Sequence, residues 1–180
     1  LVGSEMCIRD SSNDYQPDKL YGVYDWIHFD QIAWYRKQSA HFASCNNGRP
    51  LPSLAFFHIP LLEYNELIGD GKTFGNDREG GVASSKVNSG IFASFLDRKD
   101  VMGVFAGHDH DNDYVGINKR ILLGYGRVTG ADAYGELIRG ARIIELYEGE
   151  FKFDTWIATL SGREAIYYYC LLYTSDAADE

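Results

Sequence analysis

The chain is 180 residues long, carries a formal net charge of −9 at pH 7 and contains three cysteines. An acidic balance with no basic face argues against nucleic acid or an anionic membrane as partner. Three cysteines make no disulfide framework, and no apolar run reaches the length of a membrane span. None of these features fixes the cellular location or the oligomeric state.

The two ends stand apart from the rest. Residues 1–11 back-translate without a mismatch to a transposon-type sequencing adaptor, and residues 170–180 back-translate to a segment holding the reverse complement of the repeat inside the first. Both stretches are therefore set aside from fold reasoning. They carry net charges of −1 and −3, which leaves −5 for the interior, and they take Cys7 and Cys170 with them, so Cys45 stands alone. The expected organisation is adaptor over 1–11, a partial domain over 12–160, a tail of unassigned structure over 161–169, and adaptor over 170–180. The natural start and end of the protein are expected to lie outside these bounds.

After a polar, turn-rich opening over 12–23, residues 29–43 read as a helix. Asp30 sits in its first turn, and Phe29, Ile32, Ala33 and Phe42 are its apolar positions. The cluster Asn46-Asn47-Gly48-Arg49-Pro50 ends it. Trp26, Trp34 and Tyr35 read as packing residues. His28 and His41 read as surface or helix histidines, since neither has a histidine or carboxylate partner at a recognisable spacing. Leu54-Ala55-Phe56-Phe57 is a short buried strand running into His58, and Pro60 marks where the chain leaves the sheet. Residues 69–86 form a polar, glycine-dotted loop, either a functional lid or a mobile connection. Asn88 or Ser89 is expected to cap a helix through Ile91, Phe92, Phe95 and Leu96 to about Arg98.

The unbroken run Val101-Met102-Gly103-Val104-Phe105-Ala106 is a strand buried on both faces, as in a parallel sheet covered by helices. Strand, helix and strand then make a βαβ crossover, expected to be right-handed. Residues 114–117 and 120–125 flank Asn118-Lys119 as a hairpin, and 142–147 and 150–158 flank Glu148-Gly149 as another. In the last strand Phe151, Phe153, Thr155 and Ile157 alternate with Lys152, Asp154 and Trp156, a half-buried antiparallel pattern. The fold class is α/β, the second half of a domain whose sheet turns mixed or antiparallel at its edge.

In open α/β sheets, ligands bind beyond the carboxyl ends of the strands. His58 projects there, as do His108 and His110 after a turn at Gly107. Imidazole is the ligand that zinc, iron and manganese centres share with carboxylates, so the three histidines suggest a metal site. One such histidine would be better read as an ordinary polar residue; three at matching strand ends favour the ligand reading. Asp109, Asp111 and Asp113 either accept the second ring N–H of a ligand histidine, fixing its tautomer, or are solvated loop carboxylates. Arg127 and Tyr134 are candidate contacts to a substrate phosphate, with a structural role as the competing reading.

Through Phe56-Phe57-His58-Ile59-Pro60 and Gly107-His108-Asp109-His110, the chain resembles the calcineurin-like metallophosphoesterases, and among them the purple acid phosphatase-related branch. Asn13-Asp14-Tyr15, Tyr24-Asp25-Trp26-Ile27, Val87-Asn88-Ser89-Gly90 and Asp111-Asn112-Asp113 extend the resemblance. It implies the C-terminal half of a metallophosphoesterase α/β sandwich, two sheets flanked by helices. It also implies a dinuclear centre of two divalent or trivalent ions of the Fe, Zn or Mn class, with His58 and His108 on one metal and His110 on the other. The Asp-x-His, Gly-Asp-x-x-Asp and Gly-Asn-His motifs that supply the remaining ligands and catalytic groups do not occur here and are expected upstream. The implied activity of the intact parent is hydrolysis of a phosphorylated substrate, a phosphomonoester, by a metal-bridged hydroxide, with this portion alone inactive. A phosphodiesterase of the same superfamily and a non-catalytic metal-binding or adaptor homologue are the alternatives.

Overall fold

An apolar hexapeptide without polar alternation needs a covering layer on each side, and Val101–Ala106 has both: all six residues are buried. The computed structural model describes residues 12–69, 71 and 73–171. Its elements are α1 (Phe29–Cys45), β1 (Ser53–Phe56), a 3-10 helix (Leu62–Leu67), β2 (Thr73–Phe74), α2 (Ile91–Arg98), β3 (Val101–Ala106), β4 (Val115–Asn118), β5 (Ile121–Tyr125), β6 (Gly140–Leu146), β7 (Lys152–Thr159) and β8 (Gly162–Cys170). The adaptor-like residues 1–11 and 172–180 lie outside the described residues.

Two sheets form, one of five strands in the order β1-β3-β5-β4-β2 and one of three in the order β6-β7-β8. In the larger, β1, β3 and β5 run parallel, while β4 and β2 are antiparallel, so the sheet is mixed as expected. Val104 and Ala106 join the core under the helices, with Ile91, Phe92 and Phe95. Phe105 joins a second core with Val115, Leu122 and Phe153, which holds the sheets together. The alternation expected in β7 is present, with Phe153, Thr155 and Ile157 fully buried.

Several expectations need correction. β1 is an edge strand, not one buried on both faces, and Phe56 is 55% exposed. Phe29 and Trp34 of α1 point outward; Ile32 carries the burial, and Tyr35 packs edge-on to Phe95 at 4.9 Å between centroids. His28 does have a carboxylate partner, Asp25, at 3.0 Å. Neither Asn88 nor Ser89 is the cap of α2: Gly90 takes that position in the left-handed region, where a side chain is disfavoured, and the Asn88 carboxamide oxygen accepts its N–H. Residues 162–169 belong to β8, which runs on through Cys170; Leu171 then donates its N–H to the Phe151 carbonyl and packs against the inter-sheet core.

The long loop is tied down. Thr73 and Phe74 pair with β4, Asn76 N–H donates to Asp113 at 2.6 Å, and the Asn112 side-chain oxygen accepts N–H groups from Arg78 and Glu79. At Gly75, with φ +121°, an added Cβ would stand 2.8 Å from the Tyr114 Cα, so the loop passes β4 at a distance only glycine permits.

Candidate metal centre

β1 and β3 are adjacent and parallel, so whatever follows each strand emerges at the same sheet end. The ladder continues past both: Phe57 N–H donates to the Phe105 carbonyl at 3.1 Å, and Gly107 N–H donates to the His58 carbonyl at 3.1 Å. His58 and His108 are thereby set side by side. The Nε2 of His58 lies 3.0 Å from the Nδ1 of His108, with the rings nearly perpendicular at 88°. Burial and the nearby His108 and His110 hold His58 below the ordinary histidine range, against an upward pull from Asp109. This favours the neutral form of His58, which can offer a lone pair.

His110 sits on the far side of the same turn, under Tyr134. The two rings stack at 4.0 Å and 14°, and the His110 Nδ1 is 3.1 Å from the Tyr134 carbonyl. The Tyr134 hydroxyl accepts the His110 N–H at 3.2 Å and donates to the His108 carbonyl at 3.1 Å. On the opposite flank Tyr24, quoted in the sequence resemblance but not named as a site residue, packs edge-on to His108 at 4.8 Å and 78°. Its signal lay in the aromatic run Tyr21, Tyr24, Trp26 ahead of α1.

The three carboxylates between and after the histidines take their hydrogen bonds from other groups. Asp109 is buried and accepts from the Tyr125 hydroxyl at 2.6 Å and the Ala83 N–H at 3.2 Å. Asp113 is fully buried and paired with Arg127, whose guanidinium also reaches the Ile138 carbonyl and Glu164. Asp111 accepts the N–H groups of Glu136 and Leu137 at 2.6 and 3.0 Å. Arg127 is thus committed inside the fold, its side chain 1% exposed.

Two imidazole nitrogens bound to one tetrahedral ion at about 2.0–2.1 Å stand roughly 3.3 Å apart. The observed 3.0 Å between His58 and His108 fits that spacing. Among the described residues no group of three or more His, Cys, Asp or Glu side chains is arranged to hold an ion. The residues present fit part of a metal centre, two donors of one site and a third histidine beside it.

No family model matches the chain. It is 36% identical over 158 residues to "Probable inactive purple acid phosphatase 29" of Arabidopsis thaliana, covering 83% of this chain and 40% of that protein. It is 39% identical over 136 residues to "Probable inactive purple acid phosphatase 28" of the same plant, covering 74% and 34%. Phosphatase DCR2 of Saccharomyces cerevisiae is 36% identical over 153 residues, covering 77% and 25%. In fold the chain resembles the crystal structure of a dimetal phosphatase from Danio rerio, with a TM-score of 0.53 at 14% identity, over 84% of this chain and 40% of that one. Parallel strands backed by an antiparallel sheet give the chain the fold of the calcineurin-like metallophosphoesterases. Within that class the chain belongs with the purple acid phosphatase-related proteins, and it spans about two fifths of the length of the first of them.

Proposed function

We propose that the parent of this chain is a two-metal phosphoesterase acting on a phosphomonoester, with His58 and His108 holding one ion and His110 contributing to the other. The observation that supports it best is the His58–His108 pair, two imidazole nitrogens 3.0 Å apart at the ends of adjacent parallel strands. Two such ions, when bound, neutralise charge on the phosphoryl oxygens and supply a nucleophile at neutral pH. The chain's own residues do the positioning. The β1–β3 ladder fixes the spacing of His58 and His108, while Asp109 and Asp113 anchor the turn between them and β4. Burial favours the neutral form of His58.

The test is an assay of the full-length parent with a generic aryl phosphomonoester, with and without a chelator. Turnover should disappear with chelation, and His108→Ala should abolish it, because an ion losing one donor loses both affinity and position. Turnover insensitive to chelator, or full activity in His108→Ala, overturns the reading. The word "inactive" in the names of three relatives favours a second reading, a homologue that keeps the fold without the chemistry. A parent gene lacking the upstream Gly-Asn-His motif, together with a protein that binds metal but turns nothing over, would select it.

A further inference from the structure

Tyr134 was a candidate substrate contact in the sequence, yet its polar atoms are directed at the turn that carries the histidines. A backbone carbonyl can only accept a hydrogen bond. The His110 Nδ1, 3.1 Å from the Tyr134 carbonyl, must therefore carry the proton when the ring is neutral, which leaves Nε2 with the free lone pair. The stacked phenol at 4.0 Å blocks one face of the imidazole and restricts its rotation. The phenol hydroxyl ties the His110 N–H to the His108 carbonyl, so one group spans both histidines of the motif.

The segment holding Tyr134 is itself latched to the turn. Asp111 accepts the N–H groups of Glu136 and Leu137. Gly135, at φ +109°, passes so close that an added Cβ would stand 2.8 Å from the Asp111 carboxylate and 3.3 Å from the His110 Cβ. The arrangement is a closed loop of contacts: His110 to Tyr134, Gly135 to Asp111, and Asp111 back along the chain to His110.

We propose that Tyr134 is a positioning residue for His110, fixing it as the Nδ1–H tautomer with Nε2 presented toward the centre through ring stacking, its hydroxyl and its carbonyl. The tautomer assignment stands on the contacts alone; its consequence for metal binding rests on the function proposed above. The test uses full-length protein freed of metal by chelation and labelled with 15N at histidine, the His110 signals being identified by their absence from His110→Gln. Wild type should show a protonated Nδ1 and an unprotonated Nε2. Tyr134→Ala keeps the carbonyl but removes the stack and the hydroxyl, so the freed ring should turn and give a mixture of tautomers at His110, with His58 and His108 signals unchanged as the control for an intact fold. Tyr134→Phe keeps the stack and the carbonyl, so it should retain the tautomer but bind Mn2+ roughly 10-fold more weakly by calorimetry, the lower end of the usual cost of losing a group that orients a ligand. A wild-type His110 protonated at Nε2 overturns the assignment, and a Tyr134→Ala variant with the wild-type tautomer overturns the role of the stacked ring, because that variant keeps the carbonyl. Unchanged Mn2+ affinity in Tyr134→Phe overturns the role of the hydroxyl. Metal-independent turnover beside an Nδ1–H tautomer would overturn the two-metal function while leaving the positioning intact.

Discussion

Asp109 sits between two histidines proposed as ligands, but its carboxylate faces inward, where the Tyr125 hydroxyl donates to it at 2.6 Å. Burial and the adjacent Asp109 charge push the Tyr125 hydroxyl far above the ordinary tyrosine range, so it remains a donor at every accessible pH. Replacing Tyr125 by Phe removes the strongest donor to a buried carboxylate, and hydrogen bonds to charged groups contribute about 1.5–3 kcal/mol. Urea denaturation of full-length Tyr125→Phe should show a loss of that order; a midpoint matching wild type would mean that water replaces the hydroxyl. Asp111 lends itself to a pH experiment. The Leu137 N–H, with that of Glu136 and the charges of Arg78 and Arg139, lowers its pKa against a small opposing effect of burial. A depressed folded pKa stabilises the native state above the ordinary carboxylate value, and that contribution is lost as pH falls through the folded value. Asp111→Asn should therefore be less stable than wild type at pH 7, with the gap closing in acid below about pH 3.9. A gap that stays constant with pH would show that the latch does not depend on the charge.

Among the elements, those with strong apolar runs were legible from sequence. β3, α2, the β4–β5 hairpin and the β6–β7 hairpin all lie within a few residues of where periodicity and turn residues put them. The strand ends carrying His58, His108 and His110 followed from the same runs, because a parallel pair delivers its C-terminal residues to one edge. What could not be read was anything that depended on a distant partner. β2 is two residues long and exists only because β4 offers it a ladder and Gly75 permits the approach. β8 lacks a clean alternation: its pairing with β7 shifts register between Thr155 and Ile157, and Ala165 takes a positive φ of 48°. The polar loop over 69–86 read as either a functional lid or a mobile connection because its own sequence contains few apolar groups. Its order comes instead from Asp109, Asn112 and Asp113, about thirty residues away. Asp109, Asp111 and Asp113 looked like neighbours of a metal because they lie among and just after the histidines; which way each carboxylate turns is decided by Tyr125, Arg127 and the backbone of 136–137.

For the molecule as a whole, the asymmetry of the larger sheet matters most. One end is closed by the short strand β2, whereas the other ends in β1, with Phe56 55% exposed and its ring stacked on Phe105 at 5.5 Å. An edge strand of this kind leaves a row of N–H and C=O groups ready to pair with another chain. If the upstream part of the parent pairs there, the same edge behaves differently in two contexts. The isolated 180-residue chain should self-associate as its concentration rises, and Phe56→Lys should reduce that association by placing a charge on the edge. In the full-length protein the position would be covered, so Phe56→Lys should cost stability, because a lysine buried without a partner has no compensating interaction. Light scattering on the isolated chain and denaturant unfolding of the full-length protein read the two effects separately. A monomeric isolated chain at every concentration, combined with a full-length Phe56→Lys as stable as wild type, would mean that nothing pairs with β1, and the metal centre would then have to be completed from another direction.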